Sequence, residues 1–82
     1  MIDFPCNFPI KIIYMNQPGV TDELIAIIRR HHPELPLEAI KLQTSRQDNF
    51  VSMTATVLAK EQGSLDRLYQ ELTQHTHIKM VL

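Results

Sequence analysis

Eighty-two residues, 44% of them hydrophobic, are enough for one folded domain but only a small core, since a chain this short buries roughly 60–65% of its unfolded surface. Eight basic and nine acidic residues leave a net charge of −1 and no general attraction for nucleic acid or anionic membranes. No apolar run is long enough to span a bilayer, the opening MIDFPCNFP lacks the basic region of a signal peptide, and the lone Cys6 has no internal disulfide partner, so a cytoplasmic setting is expected.

Residues 1–9 read as a lead-in, because Pro5 and Pro9 fix φ and remove backbone donors, which suits an extended arm or the start of a strand. The first strand is expected over Ile10–Met15, with Ile10, Ile12 and Tyr14 on one face and Lys11 and Ile13 on the other. Asn16-Gln17-Pro18-Gly19 is a turn cluster. A helix follows, with Thr21 as its expected N-cap and Asp22 and Glu23 in the first turn, where exposed N–H groups favour negative charge. Val20, Leu24, Ile27, Ile28 and His31 define its apolar face, and Pro33 ends it.

Leu37–Arg46 is expected to be a polar edge strand, with Ile40, Leu42 and Thr44 set against Lys41, Gln43 and Ser45. Gln47 and Asp48 turn it into the most regular strand, Asn49–Ala59. There Val51, Met53, Ala55 and Val57 form an apolar face, opposite Phe50, Ser52, Thr54, Thr56 and Leu58. The second helix spans about Glu61 to Gln74 with Leu65, Leu68, Tyr69 and Leu72 on one face; Gly63 weakens its first turn, and Ser64 is an alternative N-cap that would shorten it. His77–Leu82 reads as the last strand, Ile78, Met80 and Leu82 opposed to Lys79 and Val81.

The order β-α-β-β-α-β implies an α+β fold, a ferredoxin-like two-layer sandwich. Strands one and three lie at the centre of a four-stranded antiparallel sheet, with both helices on one face. Met15, Met53 and Met80 are expected to fill core gaps.

No catalytic or cofactor motif is present. His75 and His77 are the nearest approach to a metal pair, but no third ligand is placed by sequence, and a solvated helix end is their ordinary role. His31-His32 suit a helix C-terminus, and Cys6 lacks an evident base. Arg29, Arg30, Lys41, Arg46 and Lys79 could form a basic patch, yet the first strand offers no aromatic to match Phe50, as an RNA-stacking sheet would need.

FPCNFPIK near the start, NFVSMT at 49–54, YQEL at 69–72 and the ending IKMVL together resemble the YbeD-like family of small bacterial proteins of uncharacterised function. The resemblance covers nearly the whole chain. It implies a ferredoxin-like fold similar to ACT-type regulatory domains, and a cytosolic bacterial protein linked to regulation of lipoate metabolism. It brings no catalytic residues. One departure is Tyr14, where family members often have glycine just after the first strand.

The expected working surface is the uncovered sheet face: Lys11, Ile13, Lys41, Gln43, Ser52, Thr54, Thr56, Lys79 and Val81. The leading expectation is a non-enzymatic regulatory or interaction module without cofactor or metal. It would dock a protein partner or a second copy there, with a small effector as a further ligand. The alternative is a single-stranded RNA-binding module using the same face.

Overall fold

Period-two alternation in two ten-residue strands builds the centre of the molecule. The computed structural model describes residues 5–45, 47 and 49–82. Its elements are β1 (Cys6–Met15), α1 (Val20–His31), a single 3-10 turn (Leu37–Ala39), β2 (Ile40–Thr44), β3 (Phe50–Ala59), α2 (Gln62–Thr73) and β4 (Ile78–Val81). The sheet runs β2-β3-β1-β4 with every neighbouring pair antiparallel, the ferredoxin-like order. β1 and β3 pair along their whole length, from Cys6 opposite Ala59 to Met15 opposite Phe50.

Ile10, Ile12 and Tyr14 of β1 and alternate residues Val51–Ala59 of β3 are buried together with Val20, Leu24, Ile27 and Ile28 of α1 and Leu65, Leu68 and Leu72 of α2. One sheet face is therefore dry and lies under both helices. Both expected helical faces are turned to the core, with His31 and Tyr69 at their margins only half-buried. Met53 is a fully buried member of this core. Met15 and Met80 are exposed and fill no core gap, because both fall on the opposite face.

β1 begins at Cys6, so residues 6–9 are strand rather than lead-in, and residues 1–4 lie outside the described residues. Pro9 is tolerated in a central strand for a geometric reason. The Lys11 and Met15 amides both donate toward the β4 side, to Leu82 and His77, and residues two apart point the same way. Pro9 shares that parity but lies past the last bond to β4, so its missing N–H removes nothing from the ladder.

Thr21 does not cap α1. Gly19 is the N-cap, at φ 82°, and the Glu23 amide donates to its carbonyl at 3.0 Å. The Thr21 hydroxyl instead pairs with the buried Tyr14 hydroxyl at 2.7 Å, fixing the start of α1 to β1. Burial pushes the Tyr14 phenol up in pKa, and the Thr21 bond opposes that shift. Tyr14 stands inside β1 and under the helices, so its side chain belongs to the core and not to a docking surface. A Cβ at Gly19 would touch nothing, so Gly19→Ala should cost only the left-handed backbone, about 1–2 kcal/mol. An unchanged urea midpoint would contradict this.

The strand expected from Leu37 starts at Ile40, since Leu37–Ala39 turn as 3-10 helix after Pro36. Arg46 and Asp48, the expected end of that strand and part of its turn, lie outside the described residues. Ser45 closes the hairpin from both sides: its amide donates to the Phe50 carbonyl at 2.8 Å and its hydroxyl accepts from the Phe50 amide at 3.2 Å. α2 starts at Gln62 with Glu61 as N-cap, so Ser64 lies inside the helix.

Candidate interaction surface

The uncovered face is laid out in cross-strand rows. Lys11, Thr54 and Lys41 stand side by side on β1, β3 and β2. The next row holds Met80, Ile13, Ser52 and Gln43, and beyond it Met15 pairs with Phe50. Thr56 continues the same face of β3 toward Leu58. Lys11 and Lys41 are two strands apart, about 10 Å between backbones.

β4 departs from strict alternation. Ile13 pairs with Met80 but Tyr14 pairs with Ile78, so Lys79 is an extra residue in a bulge. The bulge turns both Ile78 and Val81 toward the core, where they are half-buried, and puts Met80 on the open face at 49% exposure. Val81, expected on the working surface, is therefore removed from it. Lys79 remains there: its Nζ lies 5.8 Å from the Phe50 ring centroid, a cation–π placement. Ile13, Phe50, Lys79 and Met80 line one concavity of about 370 Å³.

This face combines an apolar centre, Ile13, Phe50 and Met80, with three lysines, 11, 41 and 79. Among the described residues its strands carry no carboxylate, although the chain as a whole is acidic by one charge. Lys41 and Lys79 were readable as parts of a basic patch, but Arg29 and Arg30 do not join them. Arg29 donates to the Leu35 carbonyl at 2.9 Å, and Arg30 pairs with Glu71 of α2 at 3.2 Å. Arg46 lies outside the described residues. Phe50 was legible from the alternation of β3. Met80 was not, because no turn residue marks the bulge.

The remaining candidates have structural partners. The His77 amide donates to His75 Nδ1 at 3.2 Å, which leaves the proton on Nε2 to be donated to Glu23 at 2.8 Å. The pair thus ties the α2–β4 connection to the start of α1. Among the described residues no group of three or more His, Cys, Asp or Glu is placed to hold a metal ion. Cys6 is half-buried at the margin of the core. His31 lies 3.4 Å from Glu71, bridging the two helices.

His32, by contrast, is not a solvated helix end. It is the C-cap of α1, only 5% exposed, and its Nε2 has no hydrogen-bond partner among the described residues. Pro33 forces it out of helical geometry and inward. Burial lowers the His32 pKa, Glu34 opposes, and His31 and Lys60 lower it further. The unfolded chain takes up a proton near the ordinary histidine value of about 6.5 while the folded one resists. His32 therefore contributes stability that is whole above about pH 6.5 and lost as the pH falls through its folded value. Thermal melts between about pH 8 and about pH 5 should show a shallower acid loss in His32→Gln than in the parent chain, and parallel curves would refute it.

Among the described residues no helix is long and apolar enough to cross a membrane. Residues 1–82 match the family DUF493, described as a protein of unknown function. A UPF0250 protein of Nitrosomonas europaea is 34% identical over 82 residues, covering 100% of this chain and 94% of the relative. One from Neisseria gonorrhoeae is 32% identical, covering 100% and 90%. Among solved structures, a protein from H. pylori superposes with a TM-score of 0.75 at 19% identity, covering 100% of this chain and 86% of the other. The ACT domain from GTP pyrophosphokinase of Chlorobium tepidum gives 0.72 at 18% identity, covering 93% and 84%. At such identities the likeness concerns the fold.

Proposed function

The chain belongs to the DUF493 family, and from that membership and the surface just described we propose that it is a small non-enzymatic module that binds protein. It works in the cytoplasm by docking an acidic partner surface on the open face of its sheet. The carrying observation is the face itself: an apolar centre of Ile13, Phe50 and Met80, ringed by Lys11, Lys41 and Lys79 and free of carboxylates among the described residues. Long-range attraction between unlike charges speeds encounter, and an apolar centre supplies the affinity once water is excluded. The fold neighbour that is an ACT domain of a larger enzyme supports a regulatory reading, with a small effector as a further ligand. The finer link to control of lipoate metabolism rests on the family resemblance alone.

The test pairs sizing of the purified chain with affinity capture from the native cell. Ile13→Asp combined with Thr54→Asp should abolish the captured complex or the self-association while leaving the melting temperature within a few degrees. Identical partners and identical size in the variant would refute the reading.

A second reading, single-stranded RNA binding, draws on Phe50 beneath Lys79 and on the lysine row. An oligonucleotide complex that weakens steeply with salt would favour it, and absence of binding at low salt would remove it.

A further inference from the structure

The two edges of β3 are unequal, and the mismatch opens a site at the far end of the sheet. β2 is half the length of β3, and their ladder stops at Ile40 opposite Ala55. Residues 56–59 of β3 have β1 on one side and no strand on the other. The connection from α1 to β2 covers that edge instead, held by the bond from Arg29 to the Leu35 carbonyl. The cover is incomplete. Two cavities of about 330 and 270 Å³ remain, and His32, Glu34 and Leu58 line both. The first also reaches Lys60 and Ser64 at the start of α2. The second is walled by the apolar side chains of Leu35 and Ala39.

His31 and Glu61 line the first cavity as well. α2 is twelve residues long and has no side-chain cap, so its first-turn N–H groups lack a partner from the helix and from the cap residue. Such a terminus favours negative charge. Glu61, the N-cap, does not provide that charge, because its carboxylate pairs with Arg67 at 3.3 Å. His32 supplies the independent sign of a missing ligand: the residue lines both cavities, and its Nε2 is buried without a hydrogen-bond partner among the described residues. An unsatisfied buried polar atom is costly, and a ligand oxygen at Nε2 would remove the cost.

We propose that this junction is a binding site for a small molecule bearing an oxyanion, carboxylate or phosphate. The oxyanion is held by His32 Nε2, the Lys60 ammonium and the first turn of α2. Leu35, Ala39 and Leu58 accept a short apolar arm, and Glu34 selects ligands that carry a hydrogen-bond donor as well. The site is separate from the lysine-ringed centre of the open face, and the two stand or fall independently.

The isotope-labelled full chain would be titrated with sodium phosphate and, separately, with sodium acetate, against sodium chloride at the same ionic strength. Saturable shifts of the Gln62 and Ser64 amides and of the His32 ring, absent with chloride, are expected with at least one probe. Phosphate alone responding would assign a phosphoryl ligand, and acetate alone a carboxylic acid. Lys60→Gln should weaken the apparent affinity about tenfold, the loss of one charge-assisted contact. Lys60 is exposed, so this variant remains informative even if His32→Gln perturbs the fold. Shifts that never saturate at α2, or that persist undiminished in Lys60→Gln, would overturn the assignment.

Discussion

Met53→Ala is expected to destabilise the chain by about 2–5 kcal/mol, a large part of the roughly 5–15 kcal/mol that holds a domain together. Met53 is fully buried on β3, between Ile12 of β1 and Leu42 of β2. Ile12 is equally buried, whereas Leu42 is 52% exposed at the sheet edge and cannot close over the space left behind. The deleted thioether therefore leaves a cavity as well as a lost transfer energy. Leu68→Ala on α2 removes the opposing wall of the same core and should cost a similar amount. Urea denaturation reads the effect directly: the midpoint falls while the slope stays constant. A loss below about 1 kcal/mol would mean that Met53 does not pack as described.

The second large effect contrasts neighbours in sequence. Ala55 is fully buried at the centre of the sheet, flanked by Ile10 on β1 and Ile40 on β2. Ala55→Leu forces three further carbons into a filled layer beneath the helices and should cost about 1–3 kcal/mol. Thr54 points the other way, between Lys11 and Lys41. Thr54→Leu should leave stability within about 0.5 kcal/mol. Equal effects from the two substitutions would show that the sheet does not have one covered and one uncovered side.

The fold was legible because alternation and helical spacing agree at every level. The apolar sets of β1, β3, α1 and α2 are the sets found in the core. What was not legible depends on partners distant in sequence. Pro9 suits an extended arm or the start of a strand, and its place well inside β1 depends on lying past the β4 ladder. Thr21 looked like an N-cap because its type suits one, yet Tyr14, seven residues earlier, claims its hydroxyl. The bulge at Lys79 exchanged Val81 for Met80 on the open face, and a pattern of period two has no way to announce an inserted residue. The other residues expected on the uncovered face do lie on it: Lys11, Ile13, Lys41, Gln43, Ser52, Thr54, Thr56 and Lys79. His32 was the larger omission. Its burial follows from the turn that Pro33 imposes and from the short reach of β2, and neither shows in the local sequence as a buried imidazole.

Site-specific photo-crosslinking in the living cell tests most directly whether the uncovered side of the sheet is where this protein meets its partner. A photoreactive residue at Gln43, exposed in the row of Ile13 and Ser52, would be compared with one at Gln70, exposed on α2. Adducts of defined mass from Gln43 and none from Gln70 are predicted, with the Gln43 adducts lost when Lys11, Lys41 and Lys79 are changed together to glutamate. Adducts from Gln70 alone, or Gln43 adducts indifferent to the lysines, would contradict it.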